Sequence, residues 1–279
     1  MLDAILDACL DTLKLLPFLF VTYLLMEYIE HKTSEKSKEA IKKSGKFGPA
    51  IGAILGAVPQ CGFSVSATNL YAGRVITVGT LIAIYLSTSD EMLPILISSG
   101  TNIGLIVEIL LVKIIIGIIA GMTIDLIHKK TKKTHEQEDI HSLCEHDHCH
   151  CEDGILKSSI KHTLQIFVFI LIVSIALNLI LTLIGEDTLA NFISQNKILA
   201  PAIACLIGLI PNCASSVVLT ELFTGGIIGI GTLIGGLLVN SGLGLMVLFK
   251  VNKNIKENIK IVSCLYAIGV ISGIIIEII

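Results

Sequence analysis

The chain has 279 residues, of which 53% are hydrophobic and only 15% are charged, and its formal net charge is -3. This composition excludes an ordinary soluble domain and indicates a polytopic membrane protein, whose surroundings are the lipid bilayer and which has no nucleic-acid partner. The sequence has no phosphate-binding loop, nucleophile elbow or dinucleotide fingerprint. We therefore expect neither an enzyme nor an ATP-driven pump within this chain, and we expect no cofactor.

The apolar residues are grouped into runs that suit membrane helices. The main runs occupy residues 15–29, 47–98, 103–127, 166–184, 199–249 and 261–279. Period-two alternation is absent, so these runs predict an all-α fold. No basic cluster precedes the first run, and we expect a retained helix there rather than a cleaved signal.

One short phrase occurs twice in the chain. Pro59-Gln60-Cys61 is followed 152 residues later by Pro211-Asn212-Cys213. The same offset aligns prolines, glycines, cysteines and threonines without a gap, from residues 49–127 to residues 201–279, and apolar composition alone does not produce such a match. We therefore divide the chain into a first membrane repeat (residues 1–127), a linker (128–153) and a second membrane repeat (154–279).

The charged residues predict that the two repeats have opposite orientations. Residues 32–46 contain six lysines, whereas their counterparts, residues 185–197, contain two acids and one lysine. Later the bias reverses, because residues 90–102 have two acids and no base, whereas residues 242–260 contain four lysines. Since short cytoplasmic loops are enriched in Lys and Arg, we predict an inverted-topology repeat in the cell inner (plasma) membrane, with both termini outside and the linker in the cytoplasm.

The two prolines predict interrupted helices. A proline has no backbone N–H to donate, so Pro59 and Pro211 each favour a broken helix at the Pro-x-Cys motif. Three short helices over residues 47–98 would give about ten helices in all, whereas a re-entrant hairpin followed by one span would give six full spans. Both arrangements fit the sequence, with about ten transmembrane or half-membrane helices.

The polar residues around the two prolines form the predicted transport site. Amides, thiols and hydroxyls are costly in hydrocarbon unless they face protein, water or a ligand, and broken helices at equivalent positions of inverted repeats mark the central site of many transporters. The alternative is a pair of helix kinks with small packing residues. The predicted site consists of Pro59, Gln60, Cys61, Ser64, Asn69, Pro211, Asn212, Cys213, Ser216 and Glu221.

Two positions distinguish the repeats within this site. Glu221 is a lone carboxylate where the first repeat has Asn69. An ionisable residue within a membrane segment could ligate a cation or carry a coupling proton, and the alternative is a solvated residue near the membrane surface. Thr88 and Asn240 are equivalent polar positions and weaker candidates.

Other polar residues are predicted to have structural roles. Glu108 and Lys113 lie in one apolar run, where an ion pair or a snorkelling lysine is expected. Arg74 is expected to anchor the end of a helix. Cys205 lies in apolar surroundings, where a cysteine is usually a small packing residue.

The linker contains a separate cluster of metal-ligand residue types. Thiolates and imidazoles together favour transition or soft metals, but their spacing does not match a closed zinc finger. The alternatives are a flexible metal-collecting or sensing segment and a solvated linker that binds metal only incidentally. The ligand candidates are His135, His141, Cys144, His146, His148, Cys149, His150 and Cys151.

These motifs resemble those of a known family. Gly56-x-x-Pro59-x-Cys61, its copy Gly208-x-x-Pro211-x-Cys213, about ten apolar segments and the His/Cys-rich linker are similar to the bacterial ten-helix heavy-metal exporters. Members of that family are described as arsenic efflux permeases, and some relatives as manganese transporters. The resemblance covers almost the whole chain outside the linker. With one cysteine in each motif, a three-thiolate arsenite site would need another cysteine, such as Cys205.

The residues and the resemblance together give an expected function. We expect a secondary-active exporter of a heavy metal or metalloid, either arsenic or a divalent metal such as manganese, that works by alternating access around a midplane site. The alternative is a membrane-embedded metal sensor or accessory subunit that acts through the His/Cys-rich linker. Monomer and homodimer are both compatible with the sequence.

Overall fold

The structure is a computed structural model. It describes residues 47–58, 61–89, 92–131 and 199–278, together with scattered helical positions between residues 13 and 24 and between residues 160 and 175. All regular structure in these residues is helical, so the prediction of an all-α membrane protein is confirmed. The linker cluster predicted to bind metal lies outside the described residues.

Ten helices have defined bounds, five in each repeat. The first repeat contains α1 (Gly48–Gly56), α2 (Cys61–Ala72), α3 (Val78–Ser87), α4 (Met92–Ser98) and α5 (Ile103–Thr131). The second repeat contains α6 (Ala200–Gly208), α7 (Cys213–Thr224), α8 (Ile230–Val239), α9 (Gly244–Val251) and α10 (Ile255–Ile278). Each helix of the second repeat begins 152 residues after its counterpart, so the sequence offset is also an offset of structure.

Four stretches are long and apolar enough to cross a membrane. Two are the long helices α5 and α10, and the other two join α3 to α4 and α8 to α9. In the apolar window of α3–α4 and α8–α9, 75% and 94% of the residues are buried, against 22% in α5 and in α10. The interrupted spans therefore form the centre of the molecule, and the long helices lie at its periphery, where lipid would cover them.

Each central span is interrupted within its length. α3 and α8 have ten residues each, which at 1.5 Å per residue gives about 15 Å, half the thickness of a bilayer core. The chain then leaves helical geometry at Thr88, and we name the segment between α3 and α4 the first break. It does so again over residues 240–243, between α8 and α9, which we name the second break. Within them, Thr88, Ser89, Asn240 and Ser241 are buried.

Helices α1 and α2 form a hairpin beside α3. A Cβ atom added to Gly52 would lie 3.2 Å from Thr80 Cγ2, and one added to Gly56 would lie 3.1 Å from Ile84 Cα, so α1 runs parallel to α3. α2 ends at Ala72, only a few residues before α3 begins, so it returns toward the level at which α1 started. Residues 57 and 58, at the far end of α1, therefore lie near the level of the first break.

The second hairpin, α6–α7, repeats this arrangement. Added Cβ atoms at Gly273 and Gly208 would lie 3.0 Å from Pro201 Cβ and 3.4 Å from Gly236 Cα. The start of α6 thus lies beside α10 and its end lies beside the last turns of α8. α7 ends at Thr224, shortly before α8 begins.

Carboxylates cap the central spans at equivalent positions. Asp125, near the end of α5, accepts hydrogen bonds from the backbone N–H of Gly79 (2.9 Å) and from Thr77 Oγ1 (2.6 Å) at the start of α3. Glu277, near the end of α10, accepts one from the backbone N–H of Thr232 (2.7 Å) at the start of α8. Each negative charge satisfies free N–H groups at the positive end of a helix.

Candidate functional site

The second Pro-x-Cys motif forms the tip of the second hairpin. α6 ends at Gly208 and α7 begins at Cys213, and Pro211 lies in the short connection between them. Asn212 is buried, with 5% of its surface exposed. The Ser215 hydroxyl donates to the Asn212 carbonyl (2.7 Å) and stabilises the turn from inside the next helix. The tip of the second hairpin therefore places Asn212 in the interior of the protein.

The first motif is described in part. Cys61 begins α2, as Cys213 begins α7, so both cysteines stand at the first position of the returning helix of their hairpin. Pro59, Gln60 and the side chains of the two cysteines lie outside the described part of the structure. Their predicted roles stay predictions.

The returning helices carry matching polar faces. Ser64 and Thr68 are buried on α2, and Ser216 and Thr220 are buried at the equivalent positions of α7. In each helix the threonine hydroxyl donates to the carbonyl of the serine four residues earlier, at 2.7 Å. Such bonds satisfy hydroxyls inside an apolar fold, and two predicted site residues, Ser64 and Ser216, thus lie in the same environment in both repeats.

Each returning helix packs against the other repeat. α2 contacts α9, and α7 contacts α4. A Cβ added to Gly244 would lie 3.0 Å from Ser64 Cβ and 2.8 Å from the Tyr85 ring, so α2 approaches the start of α9 very closely. The Thr68 hydroxyl lies 3.2 Å from the Gly244 carbonyl and 2.5 Å from the Tyr85 hydroxyl. The first hairpin therefore faces the second break.

The differing pair Asn69 and Glu221 lie in unlike environments. Asn69 is buried, with 2% of its surface exposed, whereas Glu221 is exposed. Glu221 lies in the last turn of α7, and its carbonyl accepts from the backbone N–H of Gly225 (2.8 Å) at the exposed end of the second hairpin. The predicted role of its carboxylate as ligand or proton carrier stays a prediction.

Lys113 is a charged residue within the core. Its side chain is fully buried in the middle of α5, and Nζ donates to the carbonyl of Thr88 at the first break. The expectation that it snorkels to the membrane surface is wrong, because the ammonium group finds an acceptor inside the protein. Glu108, on the same helix, is exposed.

A polar cluster joins the base of the first hairpin to α10. Glu257 at the start of α10 accepts a hydrogen bond from Tyr71 (2.5 Å) and pairs with Arg74 Nη1 (3.4 Å). The Arg74 guanidinium also lies 5.5 Å from the centre of the Tyr71 ring. Arg74 follows the end of α2 with a positive φ of 57°, so it lies at the end of a helix, as expected, and it connects the two repeats.

Cys205 lies at a helix interface, one turn before the second hairpin tip. It is buried on α6, and its sulfur would lie 3.1 Å from a Cβ added to Gly269 and 3.5 Å from one added to Gly235. Such contacts are those of a small packing residue. Within the described residues, no cluster of three or more His, Cys, Asp or Glu side chains could hold a metal ion.

Several residues of this region were missing from the predicted site. Tyr85 bonds to Thr68, Ser215 stabilises the second tip, and Ser89 and Ser241 lie at the breaks. The equivalence of Ser89 and Ser241 at the 152-residue offset was the available signal. Neither break contains a proline, so the sequence analysis did not predict that the helices end there.

Comparison with known proteins identifies the family. The family model described as "Putative, 10TM heavy-metal exporter" matches residues 2–184. The chain belongs to this heavy-metal exporter family. No curated protein and no solved structure matches it. The matched residues include the first repeat and its motif, whereas the second motif lies beyond the match and is linked to the family through the internal repeat.

Proposed function

We propose that this member of the heavy-metal exporter family is a secondary-active transporter, without enzymatic activity, that moves a heavy metal or metalloid by alternating access. The observation that carries the proposal is that the hairpin of each repeat contacts the interrupted span of the other repeat. Each hairpin with a Pro-x-Cys tip packs against the far half of the other repeat's interrupted span. Polar groups from both repeats are thereby buried near one level, where hydrocarbon would otherwise surround them.

An inverted arrangement of the repeats is supported by three contacts. Asp125 ties the end of α5 to the start of α3, and Glu257 ties the start of α10 to the base of the first hairpin, so these ends share one side. α10 has 24 residues, about 36 Å at the usual rise, and its other end is tied to the start of α8 by Glu277. α3 and α8 then start on opposite sides of the membrane.

These contacts favour re-entrant hairpins over full spans. Each hairpin would enter and leave the membrane on the same side. Each repeat would then contribute three full spans, which are the helix of its first apolar run (residues 15–29 or 166–184), the interrupted span and the long helix. Six full spans and two hairpins result. They make ten membrane segments when each interrupted span is counted once and each hairpin as two. By the charge bias of the loops, the first hairpin enters from the cytoplasm, the second from outside, and both termini lie outside the plasma membrane.

The chemistry of the predicted site suits a soft or borderline ion. Cys61 and Cys213 would supply thiolate ligands from the two hairpin tips, since each begins the returning helix of its hairpin. Amides of Gln60 and Asn212 would add oxygen ligands. Rocking of one repeat against the other would open this site first to one side and then to the other.

Uptake by everted membrane vesicles tests the proposal. We expect accumulation of at least one of arsenite, cadmium, zinc and manganese in vesicles that contain the protein, driven by a proton gradient or membrane potential. For a thiophilic cargo, Cys61→Ser combined with Cys213→Ser should lower the initial rate by at least about tenfold, since hydroxyls bind soft ions poorly.

Cys205→Ser serves as the matched control. This thiol lies at a helix interface, so the substitution should leave uptake close to wild type. For manganese, Glu221→Gln should lower the rate more than the cysteine substitutions do, because manganese prefers carboxylate oxygens. Absence of gradient-driven movement for the whole panel would rule out the exporter.

A further inference from the structure

The two breaks occupy equivalent positions but differ in how their polar groups are satisfied. At the first break, the Ser87 hydroxyl donates to the carbonyls of Ala83 (3.0 Å) and Ile84 (3.1 Å), and the Thr88 hydroxyl donates to Ile84 (2.8 Å). The Ser89 hydroxyl donates to the Ser87 carbonyl (3.0 Å). All three hydroxyls at this end of α3 are thus hydrogen-bonded.

A positively charged side chain donates a hydrogen bond to the backbone at the first break. Lys113 reaches from α5 and donates its ammonium group to the Thr88 carbonyl. The last carbonyls of a helix lack intrahelical partners and carry the negative end of the helix dipole, so an ammonium group there is electrostatically favourable. The protein therefore provides this half with a covalently attached monovalent cation.

The second break lacks two of these donors. The counterparts of Ser87 and Lys113 are Val239 and Leu265, which are buried and apolar. Asn240 Oδ1 accepts from the backbone N–H of Gly242 (2.9 Å). Ser241 is buried with 1% of its surface exposed, and within the described structure its hydroxyl has no hydrogen-bond partner. A buried unsatisfied hydroxyl is energetically costly, so a ligand at this point would be stabilising.

The last carbonyls of α8 also lie at this break. The backbone N–H of Asn240 bonds to the Gly236 carbonyl (3.1 Å), which leaves the carbonyls of Leu237, Leu238 and Val239 beyond the last intrahelical bond. These carbonyls, the Asn240 side-chain oxygen and the Ser241 hydroxyl are all oxygen acceptors. A group of oxygen acceptors at the negative end of a helix suits a hard cation.

We propose that the second break binds a small monovalent cation, of which Na⁺ is the test case, at the position equivalent to that of the Lys113 ammonium group. A single charge is favoured because the acids of the first break, Asp90 and Glu91, are replaced by Gly242 and Leu243, and divalent ions are bound by carboxylates. Within the proposed transporter, on which this inference rests, the bound ion would be the coupling ion. The first hairpin contacts the start of α9 through Gly244. Binding of the cation at the second break would therefore change the surroundings of this hairpin.

Binding of sodium to the purified full-length protein tests the site without any transport. We expect about one ²²Na⁺ per chain, and a thermal midpoint that rises with sodium chloride but not with choline chloride at equal ionic strength. Ser241→Ala should weaken sodium affinity by about tenfold, because it removes one ligand. Ser89→Ala, the equivalent change at the first break, should leave affinity unchanged.

A substitution that copies the first break gives a second test. Leu265→Lys places an ammonium group where Lys113 has one, so it should abolish sodium binding and the sodium-dependent thermal shift. Leu265→Met has similar length and no charge, and it should keep both. Gel filtration identifies variants that do not fold. If Leu265→Lys does not fold, the sodium affinity of Ser241→Ala tests the site instead.

Three results would overturn the inference. Wild-type protein could bind no sodium, its thermal midpoint could rise equally in choline chloride, which indicates a general salt effect, or Leu265→Lys could bind sodium as wild type does. These outcomes concern the purified protein and leave metal uptake by vesicles unaffected. Failure of the sodium site is therefore distinguishable from failure of the proposed export.

Discussion

At the scale of single residues, the fold depends on a few charges that lie at helix ends. Asp125 and Glu277 hold the starts of the two central spans, and Lys113 holds the end of α3. Each charge meets the helix end of opposite polarity, so it is stabilised by the dipole as well as by its hydrogen bonds. Asp125 and Glu277 occupy equivalent positions of the two repeats, whereas the position equivalent to Lys113 is Leu265.

Removal of a cap should lower stability by a predictable amount. Asp125→Ala leaves the N–H of Gly79 and the hydroxyl of Thr77 without their acceptor, and we expect a loss of about 1–2 kcal/mol. Asp125→Asn keeps an acceptor and should recover part of this loss. The thermal midpoint of the detergent-solubilised protein measures both.

Glu108→Gln provides the control for the same helix. Glu108 is exposed on α5, so its substitution should change stability by no more than about 0.5 kcal/mol. Equal effects of Asp125→Ala and Glu108→Gln would contradict a capping role.

At the scale of helices, glycines allow the central and peripheral spans to approach closely. A Cβ added to Gly121 of α5 would lie 2.9 Å from Ala83 Cβ and from Pro49 Cβ, inside normal contact distance. Gly273 of α10 has the same role, with Pro201 Cβ at 3.0 Å. Small residues at such interfaces are what drives helix association in lipid, since apolar burial between helices adds little there.

Gly121→Ala should separate α5 from α1 and α3. Overpacking of this kind costs about 1–3 kcal/mol, and we expect a lower thermal midpoint and looser packing of the first hairpin. Gly104→Ala on the exposed start of the same helix is the matched control, with an expected change within about 0.5 kcal/mol. A Gly121→Ala protein as stable as the control would show that the close approach is unnecessary.

At the scale of the whole molecule, the internal sequence offset predicted equivalent helices in the two repeats, whereas the predicted roles of the site residues stay predictions. The offset that aligns Pro59 with Pro211 also aligns the helix bounds, because a duplicated pattern of prolines and glycines sets where helices start and end. The breaks beside Thr88 and Asn240 were not predicted as interruptions, since they depend on tertiary contacts rather than on a proline. The exposure of Glu221 follows from the end of α7 three residues later, and such boundaries are the least predictable feature of a sequence.

The central claim is that the two hairpins enter the membrane from opposite sides, and single-cysteine labelling tests it most directly. In a background without native cysteines, Thr224→Cys marks the exposed base of the second hairpin, and Lys253→Cys marks the exposed segment before α10, on the side of the first hairpin's base. A membrane-impermeant maleimide should label Thr224→Cys in intact cells and Lys253→Cys only after permeabilisation. Labelling of both cysteines from the same side would contradict the inverted repeat and the shared site that depends on it.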